Sequence, residues 1–262
     1  MKTRLRYVSA AVVLSVLVLL LGSCQISDSW RIVRLKGEPK TVTVPLGDSG
    51  DIGLSVDLNF TGGGGNTITV LPTADGEAPY AVMTYPADLE EWGLSTVMDN
   101  GVLTVDVLKN RQFSTDAFAM TVYANVTSYD LVGSYTLEAD HGDAPSAHLS
   151  LNITGGAAVT ICRAAAESVT VCIDGAADVV MTGRTELLDI TINGAGALDT
   201  VGMDARDASV VINGVGAARL ACTDTLDAEI NGAGTVSYTG NPTLKKEING
   251  LGSVSALSDE TT

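Results

Sequence analysis

A five-residue motif recurs through the C-terminal half of this chain, and its spacing limits what the chain can fold into. Ile192-Asn193-Gly194-Ala195-Gly196 returns at Ile212, Ile230 and Ile248, and looser copies begin at Ile153 and Ile173. The Ile anchors are separated by 20, 19, 20, 18 and 18 residues. A near-constant period of this length marks stacked supersecondary units.

Each unit reads as strands. At positions −4, −2 and 0 from the anchor stand Leu149, Leu151 and Ile153, then Val169, Val171 and Ile173, then Leu188, Ile190 and Ile192. The intervening Ser150, Thr170 and Asp189 would face solvent, so the period is 2 and one face is buried. A second alternation follows the Asn-Gly pair, at Val159/Ile161, Val179/Met181 and Val236/Tyr238. Two short strands and two turns per repeat leave no room for a crossover helix. They fit one coil of a parallel β-helix, with right-handed coiling as the default for parallel crossovers. The expected fold is therefore all-β: a right-handed parallel β-helix preceded by an N-terminal β-rich segment.

Asn and Gly both tolerate positive φ, which gives the pair a local reason to recur at a turn. Stacked one coil apart, Asp174, Asn193, Asn213, Asn231 and Asn249 would form a structural side-chain ladder, with Thr154 in the preceding slot. Asn-Gly also makes two-residue hairpins, and that use would give an antiparallel meander. A meander, however, does not require one residue at one slot in every repeat. In the last repeat Lys246 follows Leu244 where Val or Ile is expected. A charge there reads as protection of an open solenoid end.

Residues 25–110 lack the repeat and hold strand-like runs at Thr41–Val44, Leu54–Leu58, Thr67–Leu71, Tyr80–Thr84 and Val102–Val107, with a helical turn within Pro86–Gly93. A weaker coil begins near Leu131-Val132-Gly133. Together with the Ile-Asn-Gly copies, the order Thr67–Leu71, Leu94–Val97, Asp99-Asn100-Gly101-Val102-Leu103-Thr104-Val105 and Met120-Thr121-Val122-Tyr123 resembles the auto-transporter adhesin head GIN domain family, over about residues 30–256. The resemblance implies an exported β-helix, often a lipoprotein, with adhesion as the suggested role. One departure is an acidic insert, Glu138–His148.

The N-terminus supports export. Lys2, Arg4 and Arg6 precede an apolar run from Tyr7 to Leu21, which ends in Leu21-Gly22-Ser23-Cys24. This is the layout of a secretory signal closing on a lipobox, with Cys24 as the lipidated mature N-terminus. An uncleaved anchor helix is the alternative, and both place the remainder outside the cytoplasm. The expected parts are a signal peptide (1–23), a tether (24–30), the β-rich segment (31–110), the solenoid (111–257) and a polar tail (258–262). Without residues 1–23, 12 basic side chains face 31 acidic ones. That surface repels nucleic acid and anionic headgroups, so membrane contact is expected through the lipid. Gln25 points weakly to an outer membrane if the envelope has two.

Chemistry is sparse. Cys162, Cys172 and Cys222 are odd in number and lack CxxC spacing, and the register turns the first two outward on different strands, so free thiols are expected. Asp140, His141 and Asp143, with His148 near, could hold a divalent ion, but a solvated acidic loop is the plainer reading. Neither a metal nor another cofactor is expected. Asp189, Asp199, Asp227 and Glu229 are carboxylates on the outer surface, where a glycosidase would need two facing one another; no cation clusters with them, and no catalytic constellation is expected. The expected binding face comprises Asp189, Thr191, Asp227 and Glu229, for a glycan or a surface protein. A structural or envelope-stress accessory acting through a protein partner is the second reading, and a polysaccharide-active enzyme the third.

Overall fold

The structure, a computed structural model, describes residues 32–257 apart from 48–49, 62–64, 75, 108–110 and 116. The expected signal peptide, the tether with Cys24 and the tail 258–262 lie outside the described residues.

Strands dominate. In chain order they are β1 (Val33–Arg34), β2 (Pro39–Pro45), β3 (Asp51–Asp57), β4 (Thr67–Leu71), β5 (Tyr80–Pro86), β6 (Leu94–Asp99), β7 (Val102–Val107), β8 (Phe113–Ser114) and β9 (Ala119–Tyr123). Long, bending strands follow: β10 (Asn125–Asp140), β11 (Pro145–Ile173), β12 (Ala176–Ile192), β13 (Ala195–Ile212) and β14 (Val215–Ile230). The last coil is β15 (Ala233–Thr239), β16 (Thr243–Ile248) and β17 (Leu251–Ala256). A 3-10 turn, Ala87–Trp92, buries Leu89.

Pairing between successive repeats is parallel and keeps the motif in register, with Ile173 opposite Ile192, Ile192 opposite Ile212, and Ile212 opposite Ile230. This excludes the antiparallel meander. Leu131 pairs with Ile153, so a coil does begin before the first Ile-Asn-Gly copy. The anchor side chains stack into one apolar column: Leu131, Ile153, Ile173, Ile192, Ile212 and Ile230 are each 2% exposed or less. Burial of such a side chain contributes roughly 1.5–3 kcal/mol, so the column is a principal support of the solenoid.

Each coil has three runs rather than the two expected. The first run ends at the Ile anchor, and the second follows the Asn-Gly corner. The third is short, as where Ala164–Ala166 pairs with Gly183–Thr185 and Gly183–Thr185 pairs with Met203–Ala205. Its inward residues include Ala164, Thr185, Ala205 and Cys222, all buried. Small or polar residues at buried positions produce no hydrophobic alternation, which is why this run has no signature in the sequence.

The recurrence of Asn-Gly also has a different cause from the one expected. None of Asn193, Asn213, Asn231 and Asn249, and none of the glycines that follow them, has a positive φ. The glycines are required by close stacking instead. A Cβ on Gly175, Gly194, Gly214, Gly232 or Gly250 would overlap the carbonyl oxygen of the glycine one coil earlier. The second motif glycine makes room for an anchor: a Cβ on Gly234 would sit 2.9 Å from Ile212 Cγ2, and one on Gly216 3.1 Å from Ile192 Cγ2.

The N-terminal strands continue the same sheet. β3 and β4 both pair parallel with β10, β7 pairs parallel with β3, and β9 pairs parallel with β4. Beyond them the direction reverses, since β6 is antiparallel to β7, β5 to β9 and β2 to β5. The interior at this end holds a tilted aromatic cluster, Phe60, Phe118 and Tyr135, with centroids 5.4–6.5 Å apart. At the other end β16 and β17 are mostly exposed, with Ile248 at 39% and Leu251 at 83%. Lys246 lies opposite the buried Ala228.

Candidate binding faces of the solenoid

The first runs build a broad parallel face extending from β7 and β3, through β10 and β11, to β16. From Ser128 onward its outward residues form columns, because the pairings along these first runs keep register. One column contains Ser128, Ser150, Thr170, Asp189, Ser209, Asp227 and Lys245, and the next contains Asp130, Asn152, Cys172, Thr191, Val211, Glu229 and Glu247. The four expected binding residues therefore do share one face, but they are not equally available. Asp227 Oδ2 accepts from Lys245 Nζ at 2.5 Å, and Glu229 Oε1 accepts from Asn231 Nδ2 at 2.6 Å. Among the described residues Asp189 and Thr191 make no side-chain hydrogen bond. Asp199 lies on the second-run face, bonded to Arg219 at 2.7 Å, so it is separated from the other carboxylates.

The corner between the two faces carries the asparagine column. Asn193 Nδ2 donates to Asp174 Oδ1 at 2.5 Å, Asn213 to Asn193 Oδ1 at 2.8 Å, Asn231 to Asn213 Oδ1 at 3.0 Å and Asn249 to Asn231 Oδ1 at 3.0 Å. Asp174 can terminate the series because a carboxylate only accepts. Its charge, after burial, helps to push the Cys172 thiol upward, away from the reactive thiolate.

Near β7 and β3 the first-run face dips into an open depression of ≈600 Å³ lined by Ser55, Thr104, Ser128, Asp130, Asn152 and Asp174. Beside it the Asp57 carboxyl is raised, first by burial and then by Asp106 and Asp130. A second depression, ≈680 Å³, opens on the third-run face. Its floor includes Ala165, Ala166 and Ala205, and its rim carries Arg184, Glu186 and Arg206. Arg206 reaches Asp207 at 2.9 Å and Glu186 at 3.4 Å. Arg184 has no charged partner among the described residues. Sequence reading missed this groove because the third run carries no periodic signal.

The acidic insert keeps Glu138, Asp143 and His148 exposed, but it turns His141 inward. His141 is only 8% exposed, and its Nε2 lies 3.1 Å from the Tyr129 hydroxyl, which is fully buried. Asp140 is held by Arg163 through contacts of 2.8 and 2.6 Å, and this pairing keeps its carboxyl below the usual range. Among the described residues no cluster of His, Cys, Asp or Glu is arranged to hold a metal ion. His148 Nδ1 lies 2.6 Å from Ser168 Oγ, a pairing the sequence did not reveal. No carboxylate orients the other ring nitrogen among the described residues, so the pair lacks the third member of a nucleophilic triad. Cys162, Cys172 and Cys222 are free thiols.

Burial lowers the His141 pKa, with Asp140 opposing weakly. The unfolded chain then takes up a proton below pH ~6.5 that the folded chain refuses, so stability falls as pH drops through that region. His141→Gln is expected to flatten this part of the stability–pH curve, as read by urea midpoints between pH 7 and 5. An unchanged slope would assign the dependence to other groups.

Residues 90–242 match the model of the family described as putative auto-transporter adhesin, head GIN domain, which is more than half of the 262 residues. The chain belongs to this family. The head GIN match begins in the 3-10 turn before β6 and runs past β15, so it includes every Asn-Gly corner except the last. No curated protein matches the sequence. Solved structures share the head GIN protein's fold at low identity. A putative adhesin from Bacteroides fragilis NCTC 9343 is 16% identical with a TM-score of 0.70, covering 86% of this chain and 100% of its own. A putative adhesin from Parabacteroides merdae ATCC 43184 is 16% identical with a TM-score of 0.54, covering 86% and 99%. A putative lipid binding protein from Parabacteroides distasonis ATCC 8503 is 18% identical with a TM-score of 0.54, covering 87% and 100%.

Proposed function

We propose that this protein is an adhesion module displayed on the bacterial envelope, tethered through a lipid on Cys24, which binds a glycan or protein on an opposing surface without catalysing a reaction. The observation that carries the reading is the first-run face. Its short polar side chains repeat at strand spacing, and Asp189 and Thr191 are unengaged in the middle of it. Short, rigidly backed polar groups suit many weak contacts in parallel, which gain strength through multivalency on a surface. The family's name supports the adhesive role, and the charged n-region, apolar run and Leu21-Gly22-Ser23-Cys24 support export and anchoring.

Two measurements test it. Cys24→Ser is expected to move the protein from the membrane fraction to the soluble fraction and to abolish incorporation of labelled fatty acid. Retention of the variant in membranes would overturn the lipid tether. For binding, soluble residues 25–262 are applied to an array of oligosaccharides and extracellular-matrix proteins, with and without calcium. Saturable binding that weakens at least tenfold in the double variant Asp189→Ala, Thr191→Ala supports the face. An array blank under both conditions overturns the adhesion reading in favour of an accessory role with a partner in the envelope.

A further inference from the structure

The second-run face holds an aromatic strip that the reading above leaves unused. Tyr80 on β5 and Tyr123 on β9 are opposite one another in the antiparallel pairing. Their rings are stacked, with centroids 4.6 Å apart and planes 23° apart. Both are only partly buried, although just 5% of the chain is aromatic. Leu71 is next in register after Tyr123. β10 follows at Ala139, opposite Val70, which places Asp140 beside Leu71. The backing residues Ala81, Val122, Val70 and Ala139 are all buried, so Tyr80, Tyr123, Leu71 and Asp140 point outward together.

The charged end of this row is fixed. Asp140 receives both Nε and Nη2 of Arg163. Arg163 Nη2 and the Pro72 ring, next after Leu71, both come within 4.0 Å of the point where a Gly142 Cβ would lie. Arg163 is held at a φ of 55°, a left-handed conformation unusual for this residue. Such strain persists where the surroundings over-determine it, and it concentrates at binding sites.

We propose that the Tyr80–Tyr123 stack and the Asp140–Arg163 pair form a carbohydrate subsite on the second-run face. A pyranose has an apolar C–H face, which lies on aromatic rings, and edge hydroxyls, which need both acceptors and donors. Asp140 accepts and Arg163 donates, two strand spacings or about 10 Å from Tyr123, a reach suited to two linked sugar units. A folded protein partner fits less well, because the strip offers some six residues where a stable interface takes about 20–30 per side. This subsite goes beyond the adhesion reading by naming the ligand class, and it uses a different face.

The test compares the soluble 25–262 chain with Tyr123→Ala, Tyr123→Phe and Arg163→Gln on a neutral and acidic oligosaccharide array, followed by titration calorimetry with the oligosaccharide that binds. Far-UV circular dichroism and melting temperature check folding. The expected result is at least a tenfold loss of affinity in Tyr123→Ala, retention in Tyr123→Phe and a several-fold loss in Arg163→Gln. Oligosaccharide binding that is unchanged in a folded Tyr123→Ala variant overturns the subsite. So does binding confined to matrix proteins, a result that leaves the adhesion reading intact. A blank array overturns both.

Discussion

Gly214→Ala is expected to destabilise the solenoid by about 3 kcal/mol or more, the upper range for overpacking a rigid interior. The added methyl would overlap the Gly194 carbonyl oxygen, which belongs to backbone and cannot rotate away. That carbonyl also accepts from the Val215 amide at 2.9 Å, so displacing it breaks the ladder hydrogen bond at the same corner. Gly156→Ala is the control. Its new Cβ would find its nearest neighbours at 3.7 and 3.8 Å, which is ordinary contact. That change should fall within about 0.5 kcal/mol. Urea denaturation followed by circular dichroism separates the two. Equal midpoints would mean that the corner can open, and that the glycine column has another cause.

The same glycines show what the sequence could and could not reveal. Their recurrence identified a stacked coil, because only an axial repeat brings residue i against its counterpart in the next coil. The anchors and alternating apolar positions were legible for the same reason, and they fixed the core column from Ile153 to Ile230. The physical cause of the glycine was not legible. Backbone-to-backbone approach is a property of the stack, whereas positive φ is a property of one residue, and both select glycine. The third run escaped because Ala164, Thr185 and Ala205 bury without alternating. The polar first-run face was legible as outward positions, but which of its side chains are engaged was not. Asp227 depends on Lys245 and Glu229 on the Asn231 amide, and both partnerships arise from coil stacking and side-chain rotamers. The Tyr80–Tyr123 stack was hidden further, since it joins residues more than forty positions apart in antiparallel register. His141 illustrates the converse error. An acidic flank suggested solvent, yet the imidazole turns inward to Tyr129.

Lys246→Val is expected to promote association between copies of the chain. The inward column that ends at Lys246 contains Ile190, Val210 and Ala228, each buried under the next coil. Lys246 is exposed at the last position of that column, on a strand whose described pairing is to β14 alone. An edge strand offers unpaired backbone groups to any similar edge, and an inward-pointing lysine is a common protection against this. Burying it against a second copy would strand its charge, a cost of several kcal/mol in an apolar contact. Valine removes that cost and continues the inward face with Ile248, which lies opposite the buried Ile230 and is already 39% exposed. The outcome should be larger, concentration-dependent assemblies in sedimentation velocity, while Lys245→Val should sediment as the unsubstituted protein does, because Lys245 points outward to Asp227. At the other edges of the described sheet, β6 and β2 run antiparallel to their neighbours and break the parallel register that a stacking copy would have to continue. If Lys246→Val and Lys245→Val both sediment as the unsubstituted protein does at high concentration, protection of this edge comes from the geometry of the last coil rather than from the buried-charge penalty.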